Sequence, residues 1–224
     1  NAGMAAELPC GYWLIVADDD AIDQGEAGTV PIMALVGGGA VTVKPKAATP
    51  KVAKHVLEDG TAAWQKAADA TVADDLYWRL SATVPAGLTA YDTYTVRFVD
   101  TMGAGLDPSK VAASMRVYAA AGADGGFDAV STGKDGRAGS EPAKGWTDIT
   151  AQCATKVAAD GKTFTVRIGD LIAALGGADA FTAGARVVAV YNAPLNSACS
   201  HGIAKGNPNE VYLRYPRSPL ADQS

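Results

Sequence analysis

Apolar and polar residues alternate with a period of two along most of this chain, and no other feature constrains its fold as much. In Thr93-Tyr94-Thr95-Val96-Arg97-Phe98-Val99-Asp100, one face carries Tyr94, Val96, Phe98 and Asp100, the pattern of a strand half-buried against a core. Thr163-Phe164-Thr165-Val166-Arg167-Ile168 and Val211-Tyr212-Leu213-Arg214-Tyr215 repeat it, and Tyr77 to Val84, Ala113 to Ala119 and Arg186 to Ala193 are further strand candidates. Turn signals separate them: Asp59-Gly60, Pro85-Ala86-Gly87, Asp124-Gly125-Gly126, Asp135-Gly136 and Asp160-Gly161. One short segment, Gly169 to Leu175, has helical spacing, with Leu171, Ile172 and Leu175 on one face before Gly176-Gly177. Short strands at this spacing predict an all-β protein, an antiparallel β-sandwich with one short helix.

The 224 residues suffice for one large domain. A break is expected near Lys44-Pro45-Lys46-Ala47-Ala48-Thr49-Pro50, where two prolines interrupt any ladder. Before it stand Tyr12 to Val16, Pro31 to Val36 and Ala40 to Val43, too few strands for a sandwich. Residues 1–46 therefore read as the end of a partial N-terminal domain or as docked strands, and residues 47–220 as the sandwich.

Charge narrows the function. A net charge of -5 argues against nucleic acid as a partner. Apolar runs such as Gly11 to Ala17 fall well short of a membrane span, and no signal-peptide pattern opens the chain. Cys10, Cys153 and Cys199 lack CxxC spacing, and His55 and His201 lack an HExxH-like neighbour, so neither a zinc site nor any cofactor is expected. Asp18-Asp19-Asp20 with Asp23 and Glu26 does not match an EF-hand loop and reads as a solvated turn. Cys153 and Cys199 both sit in polar, loop-like surroundings. A bridge between them with Cys10 left over is one expectation, and three buried thiols the other.

Three polar residues fall on inward faces of otherwise apolar strands. Lys54 shares its face with Val52 and Val56, Asp100 with Val96 and Phe98, and Asn209 with Val211 and Leu213. A buried lysine or aspartate needs a partner. A Lys54–Asp100 ion pair, buried or at the rim, is one reading of this pattern.

The same segments resemble a known family. Lys54-His55-Val56-Leu57-Glu58-Asp59, Tyr91-Asp92-Thr93-Tyr94, Phe98 through Leu106, and the closing Gly206-Asn207-Pro208-Asn209-Glu210-Val211-Tyr212-Leu213-Arg214-Tyr215 are similar to the isopeptide-forming fimbrial domain of Gram-positive pilins. The likeness runs from about residue 47 to 217, and Gly11 through Ile32 looks like the end of a preceding pilin domain. It implies an Ig-like (Cna-type) sandwich with a spontaneous Lys–Asn amide inside it. Carried over residue by residue, Lys54 is the nucleophile, Asn209 the electrophile and Asp100 the proton-handling acid. Burial supports those roles, because it favours a neutral amine and a protonated carboxyl. Asn207 shares the strand parity of Asn209 and is the alternative electrophile, whereas Lys51 is offset from Lys54 and should face outward.

The resemblance further implies a structural, non-enzymatic subunit of an extracellular, cell-wall-anchored fibre. Its partners would be other pilin subunits joined by sortase, with a host surface ligand as a further candidate. Shaft pilins carry Tyr-Pro-Lys, and here Val43-Lys44-Pro45-Lys46 keeps Pro-Lys, which makes Lys46 the candidate inter-subunit linkage. Neither a Leu-Pro-x-Thr-Gly signal nor a hydrophobic tail occurs in the sequence. The competing reading is a surface adhesin or carbohydrate-binding module built on the same fold. A hydrolase centred on His55 or His201 lacks a GxSxG-like elbow.

Overall fold

Strand propensity, alternation and turn glycines act together in a computed structural model that describes residues 6–15, 32–43, 49–58, 60–72, 74–86, 91–132, 138–200 and 206–216. The strands are β1 (Gly11–Ile15), β2 (Ile32–Val36), β3 (Lys51–Glu58), β4 (Ala63–Gln65), β5 (Tyr77–Val84), β6 (Val96–Met102) and β7 (Arg116–Ala121). They continue with β8 (Val130–Thr132), β9 (Ala138–Pro142), β10 (Thr147–Asp148), β11 (Cys153–Val157), β12 (Thr163–Ile168), β13 (Ala185–Asn192) and β14 (Asn209–Arg214). All pairings between them are antiparallel.

Two sheets build the sandwich. One has the order β10-β7-β13-β5-β3-β4 and the other β11-β12-β6-β14. Their facing residues form one core that includes Leu80, Val84, Val96, Phe98, Val117, Phe164, Ile168, Val187 and Tyr191. The outer face of the larger sheet carries a second, smaller apolar cluster of Tyr118, Val130, Val188 and Val190, with Phe127, Trp64 and Trp146 packed against it. Strand β5 is therefore covered on both faces, and Arg79 and Ser81 are buried along with Leu80 and Ala82. The guanidiniums of Arg79 and Arg186 lie 4.9 and 5.1 Å from the rings of Trp64 and Trp146, so these tryptophans pack under cations.

The helical segment lies where its spacing indicates, at α2 (Leu171–Ala174), but it is shorter than Gly169 to Leu175. Asp170 caps it, accepting from the backbone N–H of Ile172, and also accepts from Tyr94 N. Two more single-turn helices flank strands: α1 (Val111–Ser114) ahead of β7 and α3 (Ala178–Phe181) ahead of β13. Helix α1 takes the start of the segment expected as a strand from Ala113, so that strand begins only at Arg116. Residues 40–43 are irregular rather than a strand.

Strands β1 and β2 form a hairpin sheet of their own. Tyr12 pairs with Leu35 and Leu14 with Met33, and all four side chains are exposed. Among the described residues, no helix is long and apolar enough to cross a membrane, and no cluster of His, Cys, Asp and Glu could hold a metal ion.

The expected Cys153–Cys199 bridge is absent. Cys153 carries a free thiol at the head of β11, and its Sγ donates to the Ile149 carbonyl at 3.2 Å. Burial pushes that thiol up to about 12, so it stays protonated and unreactive. Cys199 is buried in the connection after β13, with its backbone close against Gly105. The two cysteines lie against different parts of the chain, Cys153 against the Ile149 carbonyl and Cys199 against Gly105.

Candidate functional site

Lys54, Asp100 and Asn209 come from three strands on two sheets. Lys54 lies in β3, which pairs with β5. Asp100 lies in β6 between β12 and β14, opposite Phe164 on one side and Val211 on the other. Asn209 opens β14 opposite Met102. It is therefore the diagonal neighbour of Asp100 on the same sheet face, within reach of a side-chain contact. Strand β3 packs across the sandwich against β14, which brings the first and last strands of the sandwich together.

At the centre, the Lys54 Nζ donates to the Asp100 Oδ2. The Lys54 side chain is 8% exposed and that of Asp100 0%, so the pair sits away from water. The ring centroids of Trp78 and Tyr191 stand 5.2 and 5.7 Å from the amine. Desolvation outweighs the attraction of Asp100 and lowers the Lys54 amine from 10.5 to about 8. Burial likewise raises the Asp100 carboxyl above the usual carboxylate range, although the charge of Lys54 and hydrogen bonds from Lys54 and Tyr191 oppose it. Both shifts move the pair toward an uncharged amine beside a protonated acid.

Tyr191, which the sequence reading did not single out, joins the acid to the amide. It lies in β13, and its hydroxyl donates to Asp100 Oδ2 at 3.2 Å and accepts from Asn209 Nδ2 at 3.1 Å. Its ring packs edge-on against Phe164 at 4.8 Å. Burial, then the Asp100 charge, holds its hydroxyl well above the ordinary range, so it stays a neutral phenol. The parity of β13 carried the signal: Tyr191 follows Val187 and Ala189 onto the inner face, where a phenol needs a partner.

Two acceptors remain unmet. Asp100 Oδ1 and Asn209 Oδ1 are both buried without a hydrogen-bond partner. An unpaired buried acceptor is costly, and a proton on one oxygen would satisfy the other if the two approach. That is the polarising contact through which an acid activates a carboxamide.

The alternative residues separate cleanly. Lys51 is exposed. Asn207 belongs to the turn before β14, where its Oδ1 accepts from Ser200 N at 2.9 Å and its Nδ2 donates to Ser200 O at 3.3 Å. Strand parity does not reach it, because β14 begins at Asn209. Lys46 and the acidic run from Asp18 lie outside the described residues.

The stretch after β6 shapes the approach to the site. Gly103 N donates to Pro208 O at 2.7 Å, and a Cβ on Gly105 would stand 2.1 Å from Asn207 Oδ1 and 2.7 Å from Cys199 Cα. Glycine at 103 and 105 thus lets the end of β6 press on the segment that delivers Asn209. Beside it opens a cleft of about 780 Å³ whose lining includes Val56, Ala68, Leu76, Trp78, Leu195 and Pro208. Trp78 is the one aromatic side chain among the described residues of that lining, and its indole N–H is taken by the Ala193 carbonyl at 3.1 Å.

No protein-family model and no curated protein matches the chain. Solved structures do resemble it. The major pilin SpaA of Corynebacterium diphtheriae superposes with a TM-score of 0.51 at 15% identity, over 96% of this chain and 46% of that one. Full-length RrgB of Streptococcus pneumoniae gives 0.49 at 18% identity, over 94% of this chain and 32% of that one. SpaD of Corynebacterium diphtheriae gives 0.47 at 16%, over 94% and 44%. The chain thus spans between about a third and a half of the length of these pilins. With its six-stranded and four-stranded antiparallel sheets packed face to face, the protein has the Ig-like sandwich fold seen in the Gram-positive pilin SpaA.

Proposed function

We propose that this chain is part of a structural subunit of a surface pilus, whose sandwich is stapled by an autocatalytic amide between Lys54 and Asn209. One observation carries the reading: the first and last strands of the sandwich bring an amine directly, and a carboxamide through the Tyr191 hydroxyl, to a single buried acid, Asp100. An ion pair alone would need no carboxamide linked to the same carboxylate. The structure of SpaA is described as pointing to modular pilus assembly with stabilising isopeptide bonds, and the fold shared with it supports the same use here.

The chemistry is acyl transfer from nitrogen to nitrogen. Neutral Lys54 attacks the Asn209 carboxamide carbon while Asp100 protonates the carboxamide oxygen, and ammonia leaves. The reaction occurs once per molecule, during maturation. Residues 1–46 would close a preceding domain, which gives the exposed apolar face of the β1–β2 hairpin a place to be covered. Lys46 would accept the sortase-made link to the next subunit, placing the protein in an extracellular, wall-anchored fibre. A carbohydrate-binding role is less well supported, since among its described residues the cleft by the site offers one already engaged indole and no aromatic platform.

Proteolysis followed by tandem mass spectrometry tests the staple. It should yield a branched peptide that joins the Lys54 segment to the Asn209 segment with loss of ammonia. Recovery of both segments only as separate linear peptides would refute it.

A further inference from the structure

We propose that Tyr191 is a catalytic residue of amide formation, relaying a proton from Asp100 to the ammonia that leaves Asn209; this rests on the stapling reading above. Asp100 Oδ2 sits between the nucleophile and the relay. It accepts from the Lys54 amine on one side and from the Tyr191 hydroxyl on the other. The same hydroxyl lies 3.1 Å from Asn209 Nδ2, the nitrogen that must depart. Nucleophile nitrogen, carboxylate oxygen, phenol oxygen and leaving nitrogen therefore form a continuous line, and the ring is held by packing against Phe164.

The steps balance. As Lys54 Nζ bonds to Asn209 Cγ, the carbonyl electron pair moves to Oδ1, which takes the acid proton of Asp100. The attacking nitrogen, now positive, sheds one proton to Asp100 Oδ2. Amide nitrogen cannot accept a proton readily, because its lone pair is delocalised into the carbonyl. In the tetrahedral intermediate that pair is localised, so the contact between Tyr191 and Nδ2 reverses its direction. Tyr191 gives its hydroxyl proton to Nδ2 and takes the proton on Oδ2 in exchange. The Cγ–Nδ2 bond breaks with its electrons on nitrogen, ammonia leaves, and Oδ1 returns its proton to Asp100 as the carbonyl re-forms. One amine and one carboxamide become one amide and one ammonia, with Asp100 and Tyr191 unchanged. Burial keeps the phenol protonated, so it gives its proton only in exchange for the one it takes from Oδ2.

The test follows chains that have not yet folded, recovered from inclusion bodies into guanidinium and confirmed at their full sequence mass. They are then refolded by dilution and read by intact mass after acid quench, with circular dichroism monitoring folding. Wild type should lose one ammonia, and Tyr191→Phe, which keeps the ring, should fold alongside it but lose ammonia about 100-fold more slowly or worse. Formation by Tyr191→Phe at the wild-type rate would overturn the relay and leave the staple standing. A folded wild type that never loses ammonia would overturn both. Should Tyr191→Phe fail to fold, the wild-type rate in mixtures of H₂O and D₂O decides. A bowed dependence, from more than one proton in flight, supports the relay, and a straight line overturns it.

Discussion

Asp100, wholly buried on a strand whose other inward residues are Val96, Phe98 and Met102, shares a proton with Lys54 rather than titrating alone. Reaction needs a neutral amine and a protonated acid, and that state holds the same number of protons as the ion pair. Amide formation should therefore be insensitive to pH while the pair holds one proton. Above the pH where the pair loses it, which the lowered Lys54 titration sets near 8, the rate should fall about tenfold per unit. It should fall again in acid, once the raised carboxyl of Asp100 binds a second proton and leaves Lys54 as ammonium. Rates of ammonia loss across pH check this; a rate that keeps rising with pH beyond the Lys54 titration would contradict it. At this scale the sequence was informative about parity. Lys54, Asp100 and Asn209 could be assigned to inner faces because each lies two positions from an apolar residue of its own strand: Val52 and Val56 for Lys54, Phe98 for Asp100, and Val211 for Asn209. Tyr191 was not recognisable as their partner, since its contact spans both sheets and depends on how they stack.

Among the elements, β5 and β12 span the segments that alternation indicates, Tyr77–Val84 and Thr163–Ile168. Strands β4, β8 and β10 are two or three residues long, too short for any period to show. The irregular run after β6 matters as much as the strands. Gly103 and Gly105 let it lie against Pro208 and Asn207, and that contact sets where β14 begins. Gly105→Ala would drive a methyl into Asn207 Oδ1 and the Cys199 backbone. It should cost about 1–3 kcal/mol of stability and slow amide formation by displacing Asn209. Thermal unfolding and ammonia-loss kinetics of that variant measure both. Unchanged values would mean that the contact does not position the strand. Asn207 shows the limit of pattern reading here, because a strand period has no meaning in the turn that precedes the strand.

For the whole molecule, the proposed link closes a loop of well over 100 residues between the first and last strands of the sandwich. By analogy with a disulfide, that constraint on the unfolded chain stabilises by roughly 5 kcal/mol. Asn209→Ala should then lower Tm by about 10–20 °C for a domain of this size, measured by calorimetry. Under tension, force entering at β3 would leave at β14 through a covalent bond, so the intervening strands would carry little load. The fold class was legible because many short alternating strands with glycine turns admit few architectures. The covalent consequence depends on a side-chain meeting across the sandwich that no local pattern encodes. Intact mass of the purified protein under reducing conditions, beside Lys54→Ala and Asn209→Ala, tests the central claim most directly. The account predicts a wild type lighter than its sequence by one ammonia and both variants at their sequence masses. A wild type at its full sequence mass would contradict it.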